Sequence, residues 1–255
     1  MTRHPDPAVL YPDVAARGSL GAALQAFADE SGLSVPFTAA DSRPLGHALV
    51  GSRLPHRKAL LVSAYVHERR WSVRGEESFQ GMPLVQGDTD DLAQIARAAQ
   101  AWYEGAALSD IREAAPFLRP TGRFEVPDHD PVRLTESEWQ HMRTEASEQE
   151  WPAYHALVEA AYAEPALRAL YPFTSHWTLR FSTTTRPSLT ITGPCLLALG
   201  TDEYLVSKGF TGAGVLARAT TAQEAVASAV HHLPSGLGPV TPGAYDEESG
   251  RRLGS

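Results

Sequence analysis

The sequence predicts an α+β protein of two similar halves, each an antiparallel sheet flanked by helices. Three observations carry this expectation. Leu20, Leu24 and Phe27 recur at helical spacing, as do Leu92, Ile95, Ala99 and Trp102. Val62, Ala64 and Val66 alternate with Ser63, Tyr65 and His67, and Trp177, Leu179 and Phe181 alternate with His176, Thr178, Arg180 and Ser182, the period of a half-buried strand. Short matches also recur at a near-constant separation. Pro36-Phe37-Thr38 pairs with Pro172-Phe173-Thr174, Trp71 to Gly75 loosely with Tyr204 to Gly209, and the helical run Thr89 to Gly105 with Thr220 to Gly236.

In chain order, a helix is expected between Gly18 and Gly32, then a loop from Pro36 to Pro44. Strands are expected at His47 to Leu54, Ala59 to Val66, Arg69 to Arg74 and Met82 to Gln86. Asp88-Thr89-Asp90-Asp91 supplies an N-cap for a helix that ends before Gly105. Leu108 to Ala114 forms a short helix stopped by Pro116. Residues 116–134 are rich in proline, glycine and charge and read as a linker between a first half (1–115) and a second (135–242). Thr135 and Glu138 have the spacing of a capping box, with a helix following to about Glu150. Trp151-Pro152 opens another helix, which Pro165 restarts. Strands then follow around Trp177 to Phe181, Leu189 to Thr192, Cys195 to Leu199 and Tyr204 to Ser207, with a turn at Gly193-Pro194. Thr221 and Glu224 make a second capping box, and a flexible tail is expected from 243 to 255.

Composition excludes several classes. The chain has 255 residues, 22 basic against 30 acidic, and a net charge of −8, the opposite of what sequence-independent phosphate binding needs. One cysteine, Cys195, excludes an internal disulfide framework and a multi-cysteine zinc site. Met1 to Pro7 has no apolar run behind a basic start, and no stretch reaches the about 18 apolar residues of a membrane span, so a cytoplasmic protein without a membrane partner is expected. His-Glu-x-x-His, Gly-x-Ser-x-Gly and P-loop patterns are absent.

The residues that could carry chemistry are few. His176, Thr178 and Arg180 share one strand face, with Thr184 and Arg186 in the turn beyond. An arginine with hydroxyls and an imidazole can hold a carboxylate or a peptide backbone. The same face also suits the solvated side of a sheet. Cys195 sits in an apolar run, which fits a buried thiol; if reactive, its base would be His176. Gly209 to Gly214 is a glycine-rich loop, either a connector or an anion cradle with Lys208 as its cation. Asp128-His129-Asp130, His231-His232 and the pairs His141/Glu145 and His155/Glu159 read as loop, helix-end and surface groups rather than metal or acid–base sites. No metal and no cofactor is expected.

The stretch from Trp151 to Pro242 resembles the C-terminal part of an actinobacterial family of unknown function labelled a natural-product biosynthesis protein. The resemblance lies in Glu150-Trp151-Pro152-Ala153-Tyr154, Ala163 to Arg168, Leu170 to Trp177 and His232-Leu233-Pro234. In the first half, Gly87 to Leu92 and Trp102-Tyr103-Glu104-Gly105 are similar to the same family. It implies an accessory or tailoring protein of natural-product biosynthesis, ribosomal peptides included, and brings no catalytic residues with it. The expected partner is a peptide precursor or a partner enzyme, met by His176, Thr178, Arg180 and Arg186. Two alternatives stand beside it. One is a metal-independent peptide lyase or cyclase with His176 as base and Arg180 as anion stabiliser. The other is a non-catalytic, chaperone- or immunity-like interaction module. Oligomeric state is left open.

Overall fold

The computed structural model describes residues 6–244, which divide into two compact units at Thr121/Gly122. The first five residues, on which the reading of the N-terminus partly rests, and residues 245–255, most of the expected tail, lie outside the described residues.

The first unit opens with two short helices, α1 (Pro7–Leu10) and α2 (Pro12–Ala16), each with proline in its first turn, where a missing N–H costs nothing. Helix α3 (Leu20–Glu30) is capped by the Ser19 side chain, which accepts from the Ala22 amide at 3.0 Å. Six strands follow: β1 (Thr38–Ala39), β2 (His47–Val50), β3 (Leu60–Ala64), β4 (Trp71–Glu76), β5 (Pro83–Thr89) and, after helices α4 (Leu92–Glu104) and α5 (Leu108–Ala114), β6 (Arg119–Pro120). They form one antiparallel sheet in the order β1-β2-β3-β4-β5-β6. Alternation in β4 sends Trp71 and Val73 into the core and leaves Arg74 exposed. Asp91 caps α4, and Gly105 ends it in the left-handed conformation at φ 78°. Gly75 lets α4 close on the sheet: a Cβ there would stand 2.5 Å from the Trp102 ring. Trp71, Trp102, Leu24, Leu60, Leu84 and Ile95 are fully buried together, the two indoles each removing on the order of 150–250 Å² from water.

The second unit starts with α6 (Pro131–Glu148), α7 (Pro152–Ala163) and α8 (Pro165–Arg168). The α6 start differs from the expected Thr135 capping box. Pro131 occupies the first turn and Asp130 caps the helix by accepting from the Arg133 amide at 2.8 Å, so Thr135 and Glu138 lie buried inside it. The sheet runs β11-β10-β9-β8-β7, all antiparallel, from β7 (Tyr171–Ser175), β8 (Thr178–Ser182), β9 (Ile191–Gly200), β10 (Glu203–Ser207) and β11 (Val215–Ala219). Strand β9 is continuous through Gly193-Pro194, where a turn was expected; Gly193 takes φ 67° there without leaving the strand. A short 3₁₀ turn (Phe210–Gly212) leads into β11, and α9 (Ala222–His231) carries the full Thr221/Glu224 capping box. Helices α7 and α9 cover one sheet face, burying Tyr154, Leu157, Phe181, Leu196, Val206 and Ala225. Beyond α9, Thr241 exchanges backbone bonds with Thr183 and Thr185, and the Gly243 amide donates to Thr185 Oγ1 at 3.3 Å.

The halves are alike in order. Each leads with helices, runs five antiparallel strands in chain sequence, and follows the fifth with a helix. The three sequence matches fall on equivalent elements: Thr38 and Thr174 in the first strands, Trp71 and Tyr204 in the fourth, and α4 against α9. The first unit adds β6 on the far side of β5, and Thr121 Oγ1 fastens its end by donating to the Pro83 carbonyl at 2.7 Å.

Candidate functional site

The residues singled out on the second sheet meet at the β7–β8 hairpin. His176 and Trp177 are the two turn residues between Ser175 and Thr178, not the start of a strand, and both take positive φ (50° and 63°). That is the pattern of a type I′ hairpin, filled elsewhere by Asn or Gly because a Cβ is crowded there. Bulky residues hold such a conformation only where the surroundings fix it. Here both rings are anchored. Trp177 stands edge-on to Tyr154, 5.3 Å away, and to Trp151, 6.2 Å away, at the start of α7. His176 lies against Phe210 at 5.4 Å, with its Nδ1 3.3 Å from Ser175 Oγ.

Phe210 also meets Arg180. The guanidinium carbon of Arg180 is 5.7 Å from the Phe210 ring centre and 5.2 Å from that of Phe173, its cross-strand partner. Arg180 therefore sits between two aromatic rings, one of which it shares with His176. Its Nε is buried, and among the described residues it has no hydrogen-bond partner and Arg180 has no ion pair. Thr178, on the same strand, is buried rather than solvated. Arg186 belongs to different surroundings. Its charge bears on Glu138 of α6, which is held in a two-point pair with Arg123 at 2.7 and 2.9 Å. The Arg186 Nε is likewise buried without a partner.

The glycine-rich run thus supplies an aromatic ring to this cluster rather than a row of amides for a phosphate. Cys195 is buried, and burial pushes its thiol up, against the opposing charge and hydrogen bond of Arg180. A thiol held protonated and covered is a poor nucleophile. Among the described residues no three His, Cys, Asp or Glu side chains gather as a metal site. The groups read as structural have structural partners: Asp130 caps α6, Asp128 pairs with Arg133 at 3.2 Å, and His232 Nδ1 is 2.8 Å from the Ser228 carbonyl. Glu159 is taken by Arg143 at 2.7 and 2.9 Å, leaving His155 at 3.9 Å.

Sequence reasoning missed a second feature, in the first unit. A cleft of about 400 Å³ opens between α1, the 43–46 loop and the end of β3, with Arg43, His47 and Tyr65 beside apolar walls. Its parts lie on three separated segments, and the 43–46 stretch looks like ordinary loop. The one local signal is the pair Tyr65-Val66, exposed where an alternating strand runs out.

Residues 133–244 match the family model of DUF6193, described as a family of unknown function. The match takes in the Arg180 cluster and leaves the cleft of the first unit outside it. No curated protein and no solved structure matches the chain. Among the described residues, no helix is long and apolar enough to cross a membrane.

Proposed function

We propose that this chain is an accessory or tailoring protein that binds a peptide precursor or partner enzyme by holding one of its carboxylates on Arg180. One observation carries the reading: the Arg180 guanidinium lies over the rings of both Phe173 and Phe210, and among the described residues its buried Nε has no hydrogen-bond partner and no carboxylate pairs with it. A donor nitrogen buried without a partner is costly, and a ligand carboxylate would relieve that cost with charge-assisted hydrogen bonds. The aromatic walls fix the guanidinium plane in advance, which lowers the ordering cost of binding. The setting in natural-product biosynthesis rests on the sequence resemblance over 151–242 and forms part of the same proposal.

The test is capture from the source cells with the wild-type chain and with Arg180→Gln, followed by anisotropy with synthetic segments of the captured polypeptide. Each segment is made with its acidic residue and with the matching amide. Arg180→Gln is expected to weaken the acidic segment by at least about tenfold and to leave the amide form unchanged. Equal binding of the acidic form by both chains would refute the assignment.

The lyase or cyclase reading stays second, favoured by the approach of Ser175 Oγ to His176 Nδ1 beside the same arginine. It requires that His176→Ala abolish product while partner capture persists.

A further inference from the structure

The cleft of the first unit is independent of the Arg180 cluster, and its chemistry is unusually one-sided. Leu10, Leu45 and Val66 contribute apolar wall, and Val66 is 46 % exposed. The polar groups around it are mostly spent. The Tyr11 hydroxyl lies within 2.8–2.9 Å of the carbonyls of Tyr65, Glu68 and Arg70. The Tyr65 hydroxyl donates to Asp88 at 3.0 Å. The Ala64 amide donates to the Gly46 carbonyl, and the Tyr65 amide to Arg70. Two polar side chains remain without a hydrogen bond or ion pair among the described residues: the Arg43 guanidinium and the His47 imidazole.

This apolar hollow has the Gly46 and Tyr65 carbonyls and the Ala64 and Tyr65 amides already engaged, which leaves little ladder for an added strand. It offers area to hydrocarbon and one fixed positive charge at its edge. A volume of about 400 Å³ lies within the range of small-molecule sites. We infer that this cleft binds an apolar acid, an aliphatic or aromatic group whose single carboxylate rests on Arg43. One arginine matches one negative charge. A ligand of this chemistry can be a free acid or the C-terminal residue of a polypeptide.

Calorimetric titration of the full chain at pH 7.5 separates the sources. The probes are octanoate and acetyl-Gly-Gly-Phe, each compared with its neutral amide. One of the two acids is expected to bind with one-to-one stoichiometry, at least about tenfold tighter than its amide. Saturation by octanoate identifies a free acid, and saturation by the peptide identifies a polypeptide terminus. Arg43→Gln, at an exposed position, is expected to abolish the preference for acid over amide. Val66→Trp, which fills the mouth, is expected to weaken both forms. Arg180→Gln is expected to change nothing, so failure here is distinct from failure of the peptide site. Binding of neither acid, equal binding of acid and amide, or an unaltered preference in Arg43→Gln overturns the inference.

Discussion

Arg123 and Glu138 face each other in a buried fork, Nε to one carboxylate oxygen at 2.7 Å and a terminal nitrogen to the other at 2.9 Å. Burial alone would push the Glu138 carboxyl up. The charge and hydrogen bonds of Arg123, with His141 and Arg186 adding to them, bring it below its ordinary value of 4.5. A carboxyl lowered in the folded chain contributes stability that is fully present above its unfolded pKa and is lost as pH falls through the folded value. Urea unfolding of the wild type from pH 7 to pH 3 is therefore expected to show a decline that begins near pH 4.5. In Glu138→Gln that part of the decline should be missing. Arg123→Ala should cost about 3–5 kcal/mol at pH 7, because it strands a buried carboxylate. An unchanged midpoint would contradict the pairing.

Tyr154 gives the opposite sign. Its ring is fully buried against Trp151 and Trp177, yet among the described residues its hydroxyl has no hydrogen-bond partner, and burial pushes its ionisation far up. Removing the oxygen removes a desolvated polar group and keeps the packing. Tyr154→Phe is expected to stabilise the chain by about 1 kcal/mol, read as a raised urea midpoint at constant slope. A loss of stability would mean that the hydroxyl is satisfied.

Tyr11 ties the N-terminal helices to the β3–β4 connection through three carbonyls, while the Arg70 amide donates to the same hydroxyl at 3.3 Å. Arg69 reinforces the tie, pairing with Asp13 at 2.7 and 2.8 Å and stacking on Trp71 at 4.9 Å. Tyr11→Phe should cost about 1–3 kcal/mol. Hydrogen exchange should accelerate at the Arg70 amide, with the α6 amides unaffected. Uniform acceleration across the chain would instead indicate global loosening.

The layout of both halves was legible where side chains alternate against one core. Leu179 and Phe181 announce β8, and Thr221 with Glu224 announces α9, because each signal is local. Thr135 and Glu138 show the limit of that logic. The same spacing can arise when a buried arginine needs an acid inside a helix, and the true start is set upstream by Asp130 and Pro131. The hairpin at His176-Trp177 carries no Gly or Asn, so its turn is specified by rings that pack on distant Tyr154 and Phe210. For the candidate site, the pattern put His176 and Arg180 on one side of the sheet, where both reach Phe210. It could not foresee Phe210 itself, supplied by a loop that looked like a plain connector, nor that the charge of Arg186 bears on Glu138 of α6.

The strand order has a consequence for how the chain comes together. In both sheets each strand bonds to the next one along the sequence, and the widest closure is the one between β5 and β6 that carries α4 and α5. Pairing between sequence neighbours keeps loop-closure entropy small. Either ladder can therefore be laid down in the direction of synthesis, each hairpin offering a finished edge to the strand that follows. Neither half has to hold an unpaired central strand open for a segment made much later.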